Sequence, residues 1–133
     1  MKNRKRVPND IRRMRVYRER NRNLKAMGFK DYAAYQKSEL WQGIRARVLD
    51  ANPFCVCCGK DATQVHHSAY RKKDLEGRDL RRLHSVCGGC HYRAEFRRHD
   101  HEKLHPTQAT TKLKQMAHAN AGKRFELFDP LFA

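Results

Sequence analysis

The sequence predicts an α+β chain whose centre is a short strand, a loop, a second strand and a helix, stapled at its base by four cysteines. Three observations carry that expectation. Two Cys-x2-Cys pairs, Cys55 with Cys58 and Cys87 with Cys90, have the spacing of a closed four-thiolate zinc site. Short segments at 64–67 and 83–86, each with a β-branched valine, lie between the pairs and read as strands. Leu40, Trp41, Ile44, Val48 and Leu49 form an apolar stripe at helical spacing just before the first pair.

The elements follow in order. Residues 1–25 hold eleven Lys or Arg against Asp10 and Glu19, with Ile11, Met14, Tyr17 and Leu24 at helical spacing. This basic arm reads either as a solvated, frayed segment or as one that becomes helical on nucleic acid. Phosphate contact is the favoured role. Asp31 is placed to cap a short helix through Tyr35, and Ser38 to cap the next, over 39–50, with Trp41 in the core. Asn52-Pro53 ends that helix. Cys55 to Gly59 forms a knuckle, and Gly59 suits its tight turn. That pairing leaves Cys57 as a spectator thiol, with a Cys57 ligand the less favoured alternative.

A basic loop runs over 68–82 with a turn at Glu76-Gly77, and a helix over 90–98 follows the second strand. Thr107 caps a final helix over 108–120, ended by Gly122. The apolar tail at 125–132 folds back on its own domain or, as the minority reading, contacts a partner or a second copy. The division is a nucleic-acid-contacting arm at 1–30, a central domain at 31–105, and a C-terminal helix and tail at 106–133.

The chain has 133 residues and a formal net charge of +16. A charge that lopsided calls for a polyanionic partner, nucleic acid before an acidic membrane surface. No apolar run approaches the roughly 20 residues of a membrane span, and residues 1–25 are too charged for a secretory signal. Five cysteines, an odd number, fit thiolate-bound zinc in a reducing cytoplasm, not a secreted disulfide framework.

The chemistry sits in three histidines outside the cysteine cage. His66 and His67 are adjacent at the end of the first strand, and His91 directly follows Cys90. Neighbouring strand residues point to opposite faces, so one of the pair can ligate an ion while the other faces a water. An imidazole of ordinary pKa near 6.5 is a competent base at neutral pH. Arg71, Lys72, Lys73, Arg78, Arg81 and Arg82 crowd the loop between the histidines, where phosphate contact is expected.

The combined pattern C-x2-C-G, V-H-H, C-x2-C-H, spanning about 40–95, resembles the HNH endonucleases, the ββα-metal nucleases, in their zinc-stapled branch. The resemblance covers under half of the chain. It implies a small ββα-metal core with a structural Zn²⁺ on Cys55, Cys58, Cys87 and Cys90. It implies a catalytic Mg²⁺ or Mn²⁺ on His66 and His91, and His67 as general base. DNA is the implied substrate, with RNA left open. The pattern is departed from twice. The family's asparagine, nine residues before the helix histidine, is Arg82 here; Asp79 could accept the bracing bonds in its place. The second helix histidine of some members is Glu95, which either ligates or pairs with an arginine. The competing expectation is a zinc-stapled nucleic-acid-binding module without catalysis. A structural assembly protein docking through the tail comes third. His84, His99, His101, His105 and His118 are read as surface or packing residues, His99 lying two turns beyond His91 on the same helix.

Overall fold

The computed structural model describes residues 9–120, with side chains from Met14 onward. Its elements are α1 (Asn9–Ala26), α2 (Tyr32–Gln36), α3 (Glu39–Ala51), β1 (Gln64–His67), α4 (Lys72–Leu75), β2 (Leu83–Val86), α5 (Gly88–Glu95) and α6 (Pro106–Asn120). Helices and one small antiparallel sheet make the chain α+β. No helix among the described residues is long and apolar enough to cross a membrane.

The N-terminal segment is helical over Asn9–Ala26. The reason lies in its underside: Leu24 is fully buried, and the Asn23 amide donates to the Tyr70 carbonyl at 2.9 Å. Burying one leucine contributes about 1.5–3 kcal/mol, enough to anchor an otherwise polar helix on α2 and α4. Asp31 caps α2 by accepting from the Ala34 N–H at 2.8 Å, and Ser38 caps α3 by accepting from Trp41 at 3.1 Å. Of the α3 stripe Trp41, Ile44 and Val48 are buried, Leu49 is half-buried, and Leu40 at the first turn is exposed.

β1 and β2 pair antiparallel, with His66 opposite His84 and His67 opposite Leu83. Strand alternation then sorts the side chains onto two faces. Val65 and Leu83 join Leu24, Tyr35, Trp41, Ile44, Val48 and Leu75 in a core on the α3 side. On the other side Val86 packs with Cys55, Cys57, Cys90, Ala94 and, from α6, Leu113 and Ala117. The connecting loop contains one helical turn, α4, and closes at Gly77 in the left-handed region, φ +72. The glycine is needed there for a second reason: a Cβ would meet Ile44 Cγ1 at 2.6 Å.

Three boundaries differ from expectation. α5 begins at Gly88 with Cys87 as its cap, because the Cys87 sulfur accepts from the Cys90 N–H. It ends at Glu95, not 98: Phe96 turns extended and bridges to Lys103, and Arg97 pairs with Asp100 and Glu102 across the reversal. His99 is therefore off the helix, on an exposed turn. α6 begins at Pro106 and is capped by His105, whose Nδ1 accepts from the Thr107 N–H at 3.1 Å, in place of Thr107. Gly122 and the tail at 125–132 lie outside the described residues.

Candidate metal centre

The cysteine site forms where the knuckle before β1 meets the start of α5. The sulfurs of Cys55, Cys58, Cys87 and Cys90 all lie within 4.8 Å of one another. A tetrahedral zinc with Zn–S near 2.3 Å sets its sulfurs about 3.8 Å apart; Cys58 and Cys87 stand at 3.7 Å. Gly59 takes φ +76 and its N–H returns to the Cys55 carbonyl at 2.9 Å, closing the knuckle. Cys57 is outside the four-sulfur group, its thiol 3.6 Å from the Leu113 carbonyl. Four thiols this close cannot all ionise alone. Hydrogen bonding led by the Cys57 side chain holds Cys55 as thiolate, while burial pushes Cys58 and Cys90 up. A dication would favour all four thiolates together, so the donor set could hold a structural metal such as zinc. The Arg93 guanidinium, one turn on, donates to the Cys90 sulfur at 3.2 Å and offsets that negative charge.

The second cluster lies on the opposite end of the hairpin face. His66, His91 and Glu95 each offer one donor atom to a common point. His66 Nδ1 is 3.4 Å from His91 Nε2 and 3.6 Å from Glu95 Oε1, and His91 Nε2 is 3.0 Å from that same oxygen. Ligands about 2.1 Å from an octahedral ion sit about 3.0 Å apart, so these three fit one face of such an ion.

Both imidazoles are held from behind. The second nitrogen of His66, Nε2, meets the Thr110 hydroxyl of α6 at 3.0 Å. The second nitrogen of His91, Nδ1, donates to Gln64 Oε1 at 2.7 Å. An ion at the common point would take the lone pair of the other nitrogen of each ring, a tautomer that the Gln64 acceptor favours for His91 and the Thr110 hydroxyl allows for His66. Burial opposes charge on Glu95, but its hydrogen bonds to His66 and His91 outweigh that and hold its carboxyl well below the usual range. Burial keeps His66 neutral, the form that ligates.

His67 projects to the other side of β1, as alternation requires. Its ring lies 4.7 Å from the Trp41 ring and 5.4 Å from that of Tyr70, with the Tyr32 hydroxyl 3.5 Å from Nδ1. Being the last residue of β1, it still reaches the cleft that His66 lines. That cleft of ≈ 20 Å³ is bounded also by Tyr17, Tyr70, Glu95 and Lys103 and has room for about one water or ion. Burial, then the neighbouring cationic groups, push His67 down to about 3, not the ordinary value assumed from sequence. Its Nε2 is buried and makes no hydrogen bond.

Compared with models of protein families, with curated proteins and with solved structures, the chain matches none of them. The geometry therefore carries the functional reading.

Four of the six loop residues expected to contact phosphate are engaged with carboxylates. Arg71 makes a two-pronged bond to the buried Asp74, Arg78 pairs with Glu76, and Arg81 and Lys73 meet Asp79. Lys72 and Arg82 are exposed, with no ion pair among the described residues. Asp79 accepts from the Arg81 N–H at 3.1 Å, and Ser68 donates twice to the Arg82 carbonyl, so this loop is braced without an asparagine. Of the remaining histidines, His84 is buried beside His66, its Nε2 against Ser68, and His105 caps α6.

The sequence reading missed Thr110 and Gln64. Gln64 had a signal, since it lies two residues before His66 and shares its strand face. Thr110 had none: it sits 44 residues from His66 and meets it only because α6 packs on α5.

Proposed function

We propose that this chain is a metal-dependent endonuclease of the HNH type that hydrolyses phosphodiester bonds in DNA. The observation that supports it is the convergence of His66, His91 and Glu95 on one point, with His67 reaching the same cleft from the other face of β1. A bound divalent ion, Mg²⁺ or Mn²⁺, would polarise the phosphate and offset the charge that develops on the leaving oxygen. His66, His91 and Glu95 would hold it, and Glu95 thus acts as a ligand instead of pairing with an arginine.

His67 supplies the base. It is neutral across the working pH range, and its unpartnered nitrogen takes a proton from water as the water oxygen attacks phosphorus. A phosphodiester entering the cleft brings negative charge, which raises the basicity of that imidazole. The P–O3′ bond breaks, leaving a 5′-phosphate and a 3′-hydroxyl. The Tyr70 and Trp41 rings keep the imidazole from turning away. The four cysteines staple the base of the β1–β2–α5 unit, which is too small to hold itself by apolar burial alone.

The competing reading is a zinc-stapled nucleic-acid-binding module. The observation on its side is the burial of His67, 4 % exposed among aromatic rings, which suits a packing residue equally. A supercoiled-plasmid assay on zinc-loaded protein separates the two. Nicking that needs added Mn²⁺ or Mg²⁺ and stops with chelator is expected. Tight DNA binding with no cutting under either ion would leave the binding module.

A further inference from the structure

We infer that Arg20, on α1, is the residue that binds the phosphate of the nucleic acid at this cleft. The inference rests on the nuclease reading and names the group that holds its substrate. The Arg20 guanidinium carbon lies over the Tyr32 ring at 4.2 Å, the Tyr17 ring at 4.6 Å and the Tyr70 ring at 5.6 Å. Tyr17 and Tyr70 both line the cleft with His67, so the cation lies against two residues of its wall.

A guanidinium stacked on rings keeps its N–H edge for an acceptor. Here Nε donates to Asn21 Oδ1 at 3.2 Å, and among the described residues no carboxylate pairs with the group. That sets Arg20 apart from Arg71, Arg78 and Arg81, each already engaged with Asp or Glu. It is a half-buried, ring-stacked cation beside a candidate phosphodiester site, with two terminal amino groups left to bind an anion. The rings do the positioning: they fix the side chain before substrate arrives, so little entropy is lost on binding.

The test uses full-length, zinc-loaded wild type, Arg20→Gln and Arg20→Lys. Two readouts are taken: duplex binding without added divalent ion over a series of salt concentrations, and the single-turnover nicking rate at saturating plasmid with Mn²⁺. One lost phosphate contact lowers the slope of log K against log salt by about 0.9. Arg20→Gln is expected to show that drop and a rate lower by about 100-fold. Arg20→Lys is expected to keep the slope but recover only part of the rate, since an ammonium lacks the two-pronged edge. Wild-type slope and rate in Arg20→Gln would overturn the inference and leave Arg20 a packing residue. If wild type cuts with no ion, the nuclease reading fails, while the salt slope still decides the phosphate contact. If Arg20→Gln loses its zinc and fold, Arg20→Lys decides: a rate equal to wild type overturns the inference.

Discussion

Replacing Thr110 by valine removes one hydroxyl from the back of the metal site and little else. The two side chains have nearly the same shape, and both are β-branched with restricted χ1 in a helix. The lost contact is the 3.0 Å bond between the Thr110 hydroxyl and His66 Nε2. A neutral hydrogen bond nets about 1 kcal/mol. Accepting from Nε2, the hydroxyl would favour the tautomer whose Nδ1 faces the ion, and outer partners of metal-bound histidines typically cost 10–100-fold in affinity when removed. Thr110→Val is therefore expected to weaken Mn²⁺ binding by about 10-fold, roughly 1.4 kcal/mol. The assay is titration of zinc-loaded protein with Mn²⁺, reading free Mn²⁺ by electron paramagnetic resonance. Zinc content should not change, because the cysteine site is built from other elements. Glu95→Gln serves as reference and should lose more, since it removes a charged ligand. Unchanged affinity in Thr110→Val beside a weakened Glu95→Gln would refute the claim that α6 sets the His66 tautomer. Unchanged affinity in both would refute the three-donor site.

Three further outcomes follow from the same geometry. Cys58→Ser should bring zinc per chain well below one and abolish the cooperative melt, because a structural zinc of this type is worth on the order of 10 kcal/mol of folding; full zinc retention would contradict the four-sulfur site. Gly77→Ala should cost about 2–4 kcal/mol in denaturant unfolding, from the left-handed backbone and the 2.6 Å approach to Ile44 Cγ1, and a change below about 0.5 kcal/mol would mean that turn is not held as described. His84 is pushed down to about 3, chiefly by burial, so the unfolded chain protonates first and stability is lost as pH falls below about 6.5. His84→Asn should remove about 2 kcal/mol of that loss between neutral pH and pH 5; identical pH profiles for the two proteins would count against a neutral, buried His84.

The parts of this molecule legible from sequence are those set by local rules. Ser38 and Asp31 cap where their side chains allow, Trp41, Ile44 and Val48 of the α3 stripe are buried at helical spacing, and β1 and β2 hold the expected bounds 64–67 and 83–86. Cys55, Cys58, Cys87 and Cys90 were legible because thiolate zinc sites have fixed spacings. The rest depends on packing between distant segments. Glu95 reads as an ion-pair partner before a ligand until β1 brings His66 to it. The loop arginines look free in sequence, yet Asp74, Glu76 and Asp79 fold in among them. The ordinary pKa assumed for His67 gave way to burial under Trp41 and Tyr70, contacts made across 26 and 3 residues respectively. α5 ends short of its expected bound because the Glu95 carbonyl accepts from the Leu104 N–H at 2.7 Å and the Arg97 N–H donates to the Glu102 carbonyl at 2.9 Å, an extended pairing in place of another helical turn.

The most direct test compares wild type with His67→Ala on supercoiled plasmid, each zinc-loaded and supplied with Mn²⁺. Zinc content and duplex affinity are measured on the same samples. The account predicts ion-dependent nicking by wild type and a rate lower by about 100-fold or more in His67→Ala, with zinc and binding retained, as loss of a general base requires. Nicking by His67→Ala at the wild-type rate would contradict it, and would return His67 to the aromatic core as a packing residue.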